Sequence, residues 1–151
     1  MFDKWSSYSP LPLRLILGFG FIFHGWPKIF SSEDHADFVG MLRDMIGLPF
    51  PEFMAYVVGL VELLGGLALI AGAFVALVSI PLIINMLVAM LTVHLPNGFS
   101  FMNMLPEGGF GMPGYEVNLL YIAGLAALML MGAGSLSVDD MRKEKSGGGD
   151  T

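Results

Sequence analysis

The sequence predicts an all-α fold, an integral membrane four-helix bundle with a short amphipathic helix between its first and second spans. Two observations carry this. Hydrophobic residues fill 55% of 151 positions and charged residues only 13%, with a mean hydropathy of +0.72; a soluble domain carries roughly 25% charged residues. Long apolar runs also recur between Pro- and Gly-rich breaks, each near the length of about 17–25 residues that crosses a bilayer as a helix. Residues 1–136 read as a single membrane domain and 137–151 as a polar, disordered cytoplasmic tail.

The elements follow in order. Trp5 and Tyr8 in the polar start suit a headgroup interface. Helix 1 is expected from Pro12, tolerated in a first helical turn, to Trp26, which Pro27 biases out of helical geometry. Arg14 near its start is expected to snorkel to water. Lys4 ahead of this run resembles a signal-peptide start, but Pro10, Pro12 and Arg14 interrupt it and no small-x-small cleavage site follows, so a retained helix is expected. Ser31 or Ser32 caps a short helix with Glu33 and Asp34 in its first turn. Phe38, Met41, Leu42, Met45 and Ile46 line its apolar face, so it lies on the membrane surface or caps the bundle. Helix 2 spans Glu52 to Gly72, with Gly59 and Gly66 on one face as a close-packing surface. A very short turn leads to helix 3, Phe74 to Leu95, stopped by Pro96, Asn97 and Gly98. The segment 96–114 is a long Gly/Pro/Met/Phe loop, a lid or a partner surface. Helix 4 spans Tyr115 to Gly132.

Several function classes drop out. A net charge of −6 without a basic stripe excludes nucleic acid. The absence of cysteine excludes disulfides, thiol catalysis and an iron–sulfur cluster held by this chain alone. No phosphate-binding loop, dinucleotide fingerprint or nucleophile elbow is present. Four spans place both termini on one side. Lys4, Arg14, Arg142, Lys143 and Lys145 stand there against Lys28 and Arg43 opposite, so the termini are expected in the cytoplasm.

Glu62 is the sharpest signal, because an ionisable group near mid-membrane must be neutral, paired or wet. At 1.5 Å per residue, Glu62 and Asn85 both lie roughly 15 Å from the turn at Gly72. His24 sits at a similar depth or further out, with His94, Glu116 and Asn118 near the outer surface. A polar column from Glu62 through Asn85, His24 and His94 to Glu116 is therefore expected if all turn inward. Glu62 and His24 suit proton transfer or hydrogen bonding to a quinone carbonyl, and His94 suits a ligand or an ion pair with Glu62 or Glu116. Each also has a plainer reading: Glu62 as glue between helices, His24 as an interfacial pin beside Trp26, His94 as a helix-end cation. Lys28 is expected to snorkel to headgroups. Tyr115 and Tyr121 read as interface anchors. No HxxxH or ExxH spacing supports a metal, so no metal ligand is assigned. Haem between His24 and His94 is conceivable but not indicated by spacing. Met102, Met104 and Met112 read as apolar filler rather than copper ligands.

The order of features resembles the DoxX family. The resemblance rests on RLILGFGFIFHGWPKIF, on GLPFPEFMAYVVGLVELLGGLALIAG, on TVHLPNGF and on GYEVNLLYIAGLAALMLMGAGSLSVD, together covering roughly residues 11–139. It implies a small prokaryotic multi-pass protein of the cell membrane, linked to quinone-dependent oxidation of sulfur compounds or to thiol and oxidative-stress systems. The family's recurring polar positions fall on His24, Lys28, Glu62, His94 and Glu116, while the insert FMNMLPEGGFGM is longer than the family's usual loop. The expected function is a quinone- or quinol-interacting subunit of a membrane oxidoreductase system. The bilayer and a protein partner or second copy are the expected partners, with His24, Lys28, Glu62, Asn85, His94 and Glu116 at the quinone site. Catalysis would fall to Glu62, His24 and His94. The rival readings are a non-catalytic assembly or docking factor and a small transporter.

Overall fold

A computed structural model describes residues 3–147, with side chains over 5–145. Lys4's side chain and the Gly-rich end beyond residue 147, expected to be disordered, lie outside the described residues. After a 3-10 turn over Asp3–Tyr8 come α1 (Pro10–Phe30) and α2 (Ser32–Met41), the latter extended by a π turn over Leu42–Ile46. Then follow α3 (Pro51–Ala71) and α4 (Val75–Ala89), which runs on through a π turn, Met90–His94, and a 3-10 turn, Leu95–Asn97. Last are α5 (Glu116–Met131) and α6 (Val138–Gly147). α1, α3, α4 and α5 form a closed ring in which α1 packs on α3 and α5, and α4 on α3 and α5.

The contact between α1 and α3 is made by glycine. Gly18 and Gly25 face Gly66 and Gly59 in antiparallel register. A Cβ at Gly66 would lie 2.6 Å from the Gly18 carbonyl oxygen, and one at Gly25 would lie 2.7 Å from the Leu63 nitrogen. Backbone meets backbone at both levels, as small residues permit in lipid.

Outside and inside are inverted relative to a soluble protein. Ile16, Phe19, Phe23, Trp26 and Phe30 form an exposed stripe on α1, matched by Phe53, Tyr56, Leu60, Leu64 and Leu67 on α3. On α4 the stripe is Leu77, Ile80, Ile84, Val88 and Leu91. Steps of three and four residues put each set on one helix face, and such continuous apolar surface needs lipid against it. Meanwhile Arg14, Glu62, Ser79 and Asn118 are buried. α3 and the segment Val75–Asn97 are each long and apolar enough to cross a membrane. Between the helices, Leu17, Phe21, Leu69, Val75, Leu82, Leu125 and Leu128 fill the half of the bundle toward the termini.

Four expectations change. α1 continues through Pro27 to Phe30, because the Ser31 N–H reaches the Pro27 carbonyl at 3.0 Å and carries the ladder past the one donor that proline removes. Arg14 does not snorkel. It is fully buried and donates to the carbonyls of Ala133 at 2.6 Å and Leu136 at 2.9 Å, where the chain leaves α5. The tail expected to be disordered is helical over Val138–Gly147. Its Asp139 carboxylate caps α4, accepting from the Phe74 N–H at 2.8 Å and the Val75 N–H at 3.0 Å. That cap holds Phe74 in the left-handed region, at φ +50°. Finally, Met45 is 56% exposed although Phe38, Leu42 and Ile46 pack against Val39 and Ala55; the π turn holds extra residues per turn and rotates Met45 off the apolar face.

Replacing Gly66 with Ala is expected to destabilise the bundle by about 1–3 kcal/mol, the usual range for overpacking. Gly40→Ala, with nothing within 4 Å of its Cβ, should not. Thermal melting in detergent reads the difference.

Candidate ligand-binding site

The glycine seam sets the site. Lys28 lies one turn beyond Gly25 on α1, and Glu62 one turn beyond Gly59 on α3, so the close approach of the backbones brings the two side chains together. Glu62, only 3% exposed, takes the Lys28 ammonium on Oε2. Its Oε1 accepts from the Asn85 amide of α4 at 2.9 Å. The Lys28 ammonium also lies 4.6 Å from the centre of the Phe38 ring of α2. A buried carboxylate is thus paired in charge and hydrogen-bonded on both oxygens. Lys28, expected at the headgroups, turns inward because a closer anion awaits it.

α2 is drawn onto this cluster by His35. Its Nδ1 lies 2.6 Å from the Lys28 carbonyl, and its ring stacks on Tyr56 at 4.2 Å between centroids. A carbonyl only accepts, so Nδ1 carries the proton.

Beside the cluster lies a cavity of about 410 Å³, inside the size range of small-molecule sites. Its walls are largely apolar, with Phe21, Phe38, Met41, Val58, Met86 and Val93 among them. The polar residues on its lining are His24, Lys28, Glu62, Asn85, His94, Asn118 and Tyr121. Every helix of the ring therefore contributes a polar group. The outer segment closes over one end, with Phe101, Met112, Pro113 and Gly114 on the lining.

That segment is folded rather than irregular. Met104 bridges Phe110 in antiparallel fashion, and the Gly114 and Glu116 N–H groups donate to the Ser100 and Phe99 carbonyls, each at 3.0 Å. Gly114 must lack a side chain, since a Cβ there would sit 2.7 Å from the Ser100 oxygen. Asn103 staples the hairpin by donating to the Asn97 and Met112 carbonyls at 2.8 and 2.9 Å.

Of the residues expected at the site, His24, Lys28, Glu62, Asn85 and His94 meet at the cavity. Glu116 is not on its lining. It accepts from the Phe101 N–H at 3.0 Å and anchors the hairpin to the start of α5. His94 pairs with neither glutamate. Its Nδ1 donates to the Pro113 carbonyl at 2.9 Å, which leaves Nε2 as the ring's acceptor. Two cavity residues escaped the sequence reading of the quinone site. Asn118 was placed at the right depth but given no role, and Tyr121 was read as an interface anchor; its spacing of three from Asn118 was the available signal. Among the described residues no three His, Asp or Glu side chains come together as a metal site would require.

Lys28→Met leaves Glu62 buried without its cation and is expected to cost about 3–5 kcal/mol of stability. Adding Glu62→Gln should recover part of that loss, which melting curves of the single and double variants will show.

The chain is 36% identical over 97 residues to "Putative oxidoreductase CatD" of Bacillus subtilis, covering 64% of this chain and 68% of that protein. It is 30% identical over 137 residues to an uncharacterized membrane protein of Mycobacterium tuberculosis, covering 87% of this chain and 79% of that one. No solved structure matches. The DoxX family model matches residues 9–95, which hold α1 to α4 and with them Lys28, Glu62, Asn85 and His94. This chain is a membrane protein and belongs to the DoxX family.

Proposed function

We propose that this protein is a quinone- or quinol-interacting subunit of a membrane oxidoreductase system in the prokaryotic cell membrane, with both termini in the cytoplasm. The observation that carries the reading is the charge-paired Lys28–Glu62–Asn85 cluster on the wall of an otherwise apolar cavity inside a lipid-facing bundle. A quinone head group asks for such a site: an apolar slot for a ring and a few polar groups for its oxygens. The relative named as an oxidoreductase supports the redox assignment by its name alone.

A quinone supplies two-electron, two-proton chemistry when bound. The residues divide the remaining work. His24 lines the cavity and has no hydrogen-bond partner among the described residues, so its ring nitrogens are free to bond a ligand oxygen or pass a proton. Glu62 lines the same cavity as His24 and accepts from the Asn85 amide of α4. His94 offers Nε2 toward the outer end of the cavity, as the next proton acceptor in line. Lys28 pairs with Glu62 and fixes the carboxylate in place. No cysteine is present to hold an iron–sulfur cluster, so electrons come from a partner protein or an added cofactor.

Glu62→Gln and His24→Ala are expected to weaken quinone binding by about tenfold or more, a loss of the size of one charge-assisted hydrogen bond. Equilibrium titration of the purified protein in lipid nanodiscs measures it. Intact binding with a lowered melting temperature would assign the cluster to helix packing instead and favour a docking or assembly subunit.

Orientation has its own test, made simple by the cysteine-free sequence. Ser100→Cys in the hairpin should react with a membrane-impermeant maleimide in intact cells. Lys145→Cys should react only after permeabilisation. The opposite pattern would invert the topology.

A further inference from the structure

The charged cluster is satisfied within the protein. Both Glu62 oxygens are taken, one by Lys28 and one by Asn85. On α5 the situation differs. Asn118 is 6% exposed, yet the sole polar contact of its side chain among the described residues is Nδ2 to the Met86 sulfur at 4.0 Å. That is a weak acceptor at the limit of contact, and the Asn118 amide oxygen accepts nothing from the described residues. The Tyr121 hydroxyl likewise has no hydrogen-bond partner among the described residues. The two side chains are three residues apart, hence on one helix face, and both line the cavity.

Tyr121 is nevertheless held in place. Its ring meets Phe21 edge-on with centroids 5.2 Å apart. Its hydroxyl end lies against Gly20, where a Cβ would come within 3.0 Å of the ring carbon bearing the hydroxyl. Neither side chain's polar atoms are sealed off from the cavity they line, so a rigid face that leaves an amide and a hydroxyl without protein partners there is an arrangement that a ligand completes.

We infer that Asn118 and Tyr121 form a second hydrogen-bonding pole of the cavity and hold one oxygen of a cyclic dicarbonyl or its dihydroxy form. This rests on the quinone reading above and adds to it a recognition element supplied by α5. The chemistry follows from the groups. An amide and a phenol each donate and accept, so the pair matches a carbonyl oxygen, which only accepts, and a hydroxyl, which does both. Both are neutral, so neither asks for a counter-charge on the ligand. The Phe21 ring and the Met86 thioether beside them suit a flat aromatic body. The pole would therefore hold the oxidised and reduced ligand with similar strength.

Menadione is the probe, titrated into the wild-type protein and into Tyr121→Phe and Asn118→Leu variants in nanodiscs. Each substitution should weaken binding by about fivefold, the worth of one neutral hydrogen bond. The melting temperature without ligand should stay level or rise, because neither variant removes a strong protein contact. In Tyr121→Phe the infrared carbonyl band of bound menadione should move to higher frequency, which a packing role would not produce. Tyr115→Phe, off the cavity lining, is the control. If the wild type binds and Glu62→Gln impairs it while both α5 variants bind normally, the second pole is wrong and the quinone site stands. If the wild type does not bind, both fall together.

Discussion

Four glycines decide the geometry of this protein. In lipid, apolar surfaces have little reason to prefer each other over acyl chains, so helices join through close packing and polar contacts. Gly18 against Gly66 and Gly25 against Gly59 bring α1 and α3 into backbone contact over two turns. Lys28 and Glu62 meet because the antiparallel seam sets Lys28 level with Gly59 and Glu62 level with Gly25. With α1 and α3 drawn tight, α4 and α5 supply the facing walls of the cavity, with Asn85, Met86, Asn118 and Tyr121 on its lining.

Polar groups are then distributed by depth. Toward the termini, Arg14 is buried against the carbonyls that follow α5 while Asp139 caps α4, so the chain's first and last helices secure the same end of the bundle. At mid-depth, the ion pair and Asn85 join three helices. At the outer end, backbone and amide hydrogen bonds fold the hairpin over the cavity. Most buried donors find partners within their own layer, as the absence of water demands, although Arg14 Nε has none among the described residues. Asn118, Tyr121 and His24 instead leave polar atoms to the cavity they line.

Much of this was legible in the residues. The four spans and the short helix between the first two, the cap at Ser31, the packing role of Gly59 and Gly66, and the common depth of Glu62 and Asn85 all follow from spacing and rise per residue. The misreadings share one cause. Arg14 and Lys28 were treated as isolated cations, for which snorkelling is the cheapest answer; a partner on another helix changes that answer, and no local pattern reveals it. Glu116 has the right depth but the wrong rotation, turned to a loop N–H instead of the cavity. Asp139 looked like part of a solvated tail because its partners, the free N–H groups at the start of α4, lie 64 and 65 residues away.

The apolar plug of Leu17, Leu69, Leu82, Leu125 and Leu128 fills the bundle between the cavity and the end held by Arg14. The cavity is therefore a well with a floor. Whatever enters from the hairpin side, or sideways from the bilayer, leaves by the same openings. If the proposed chemistry takes place there, its protons would be traded with one face of the membrane, and the plug would keep the other face out of the exchange.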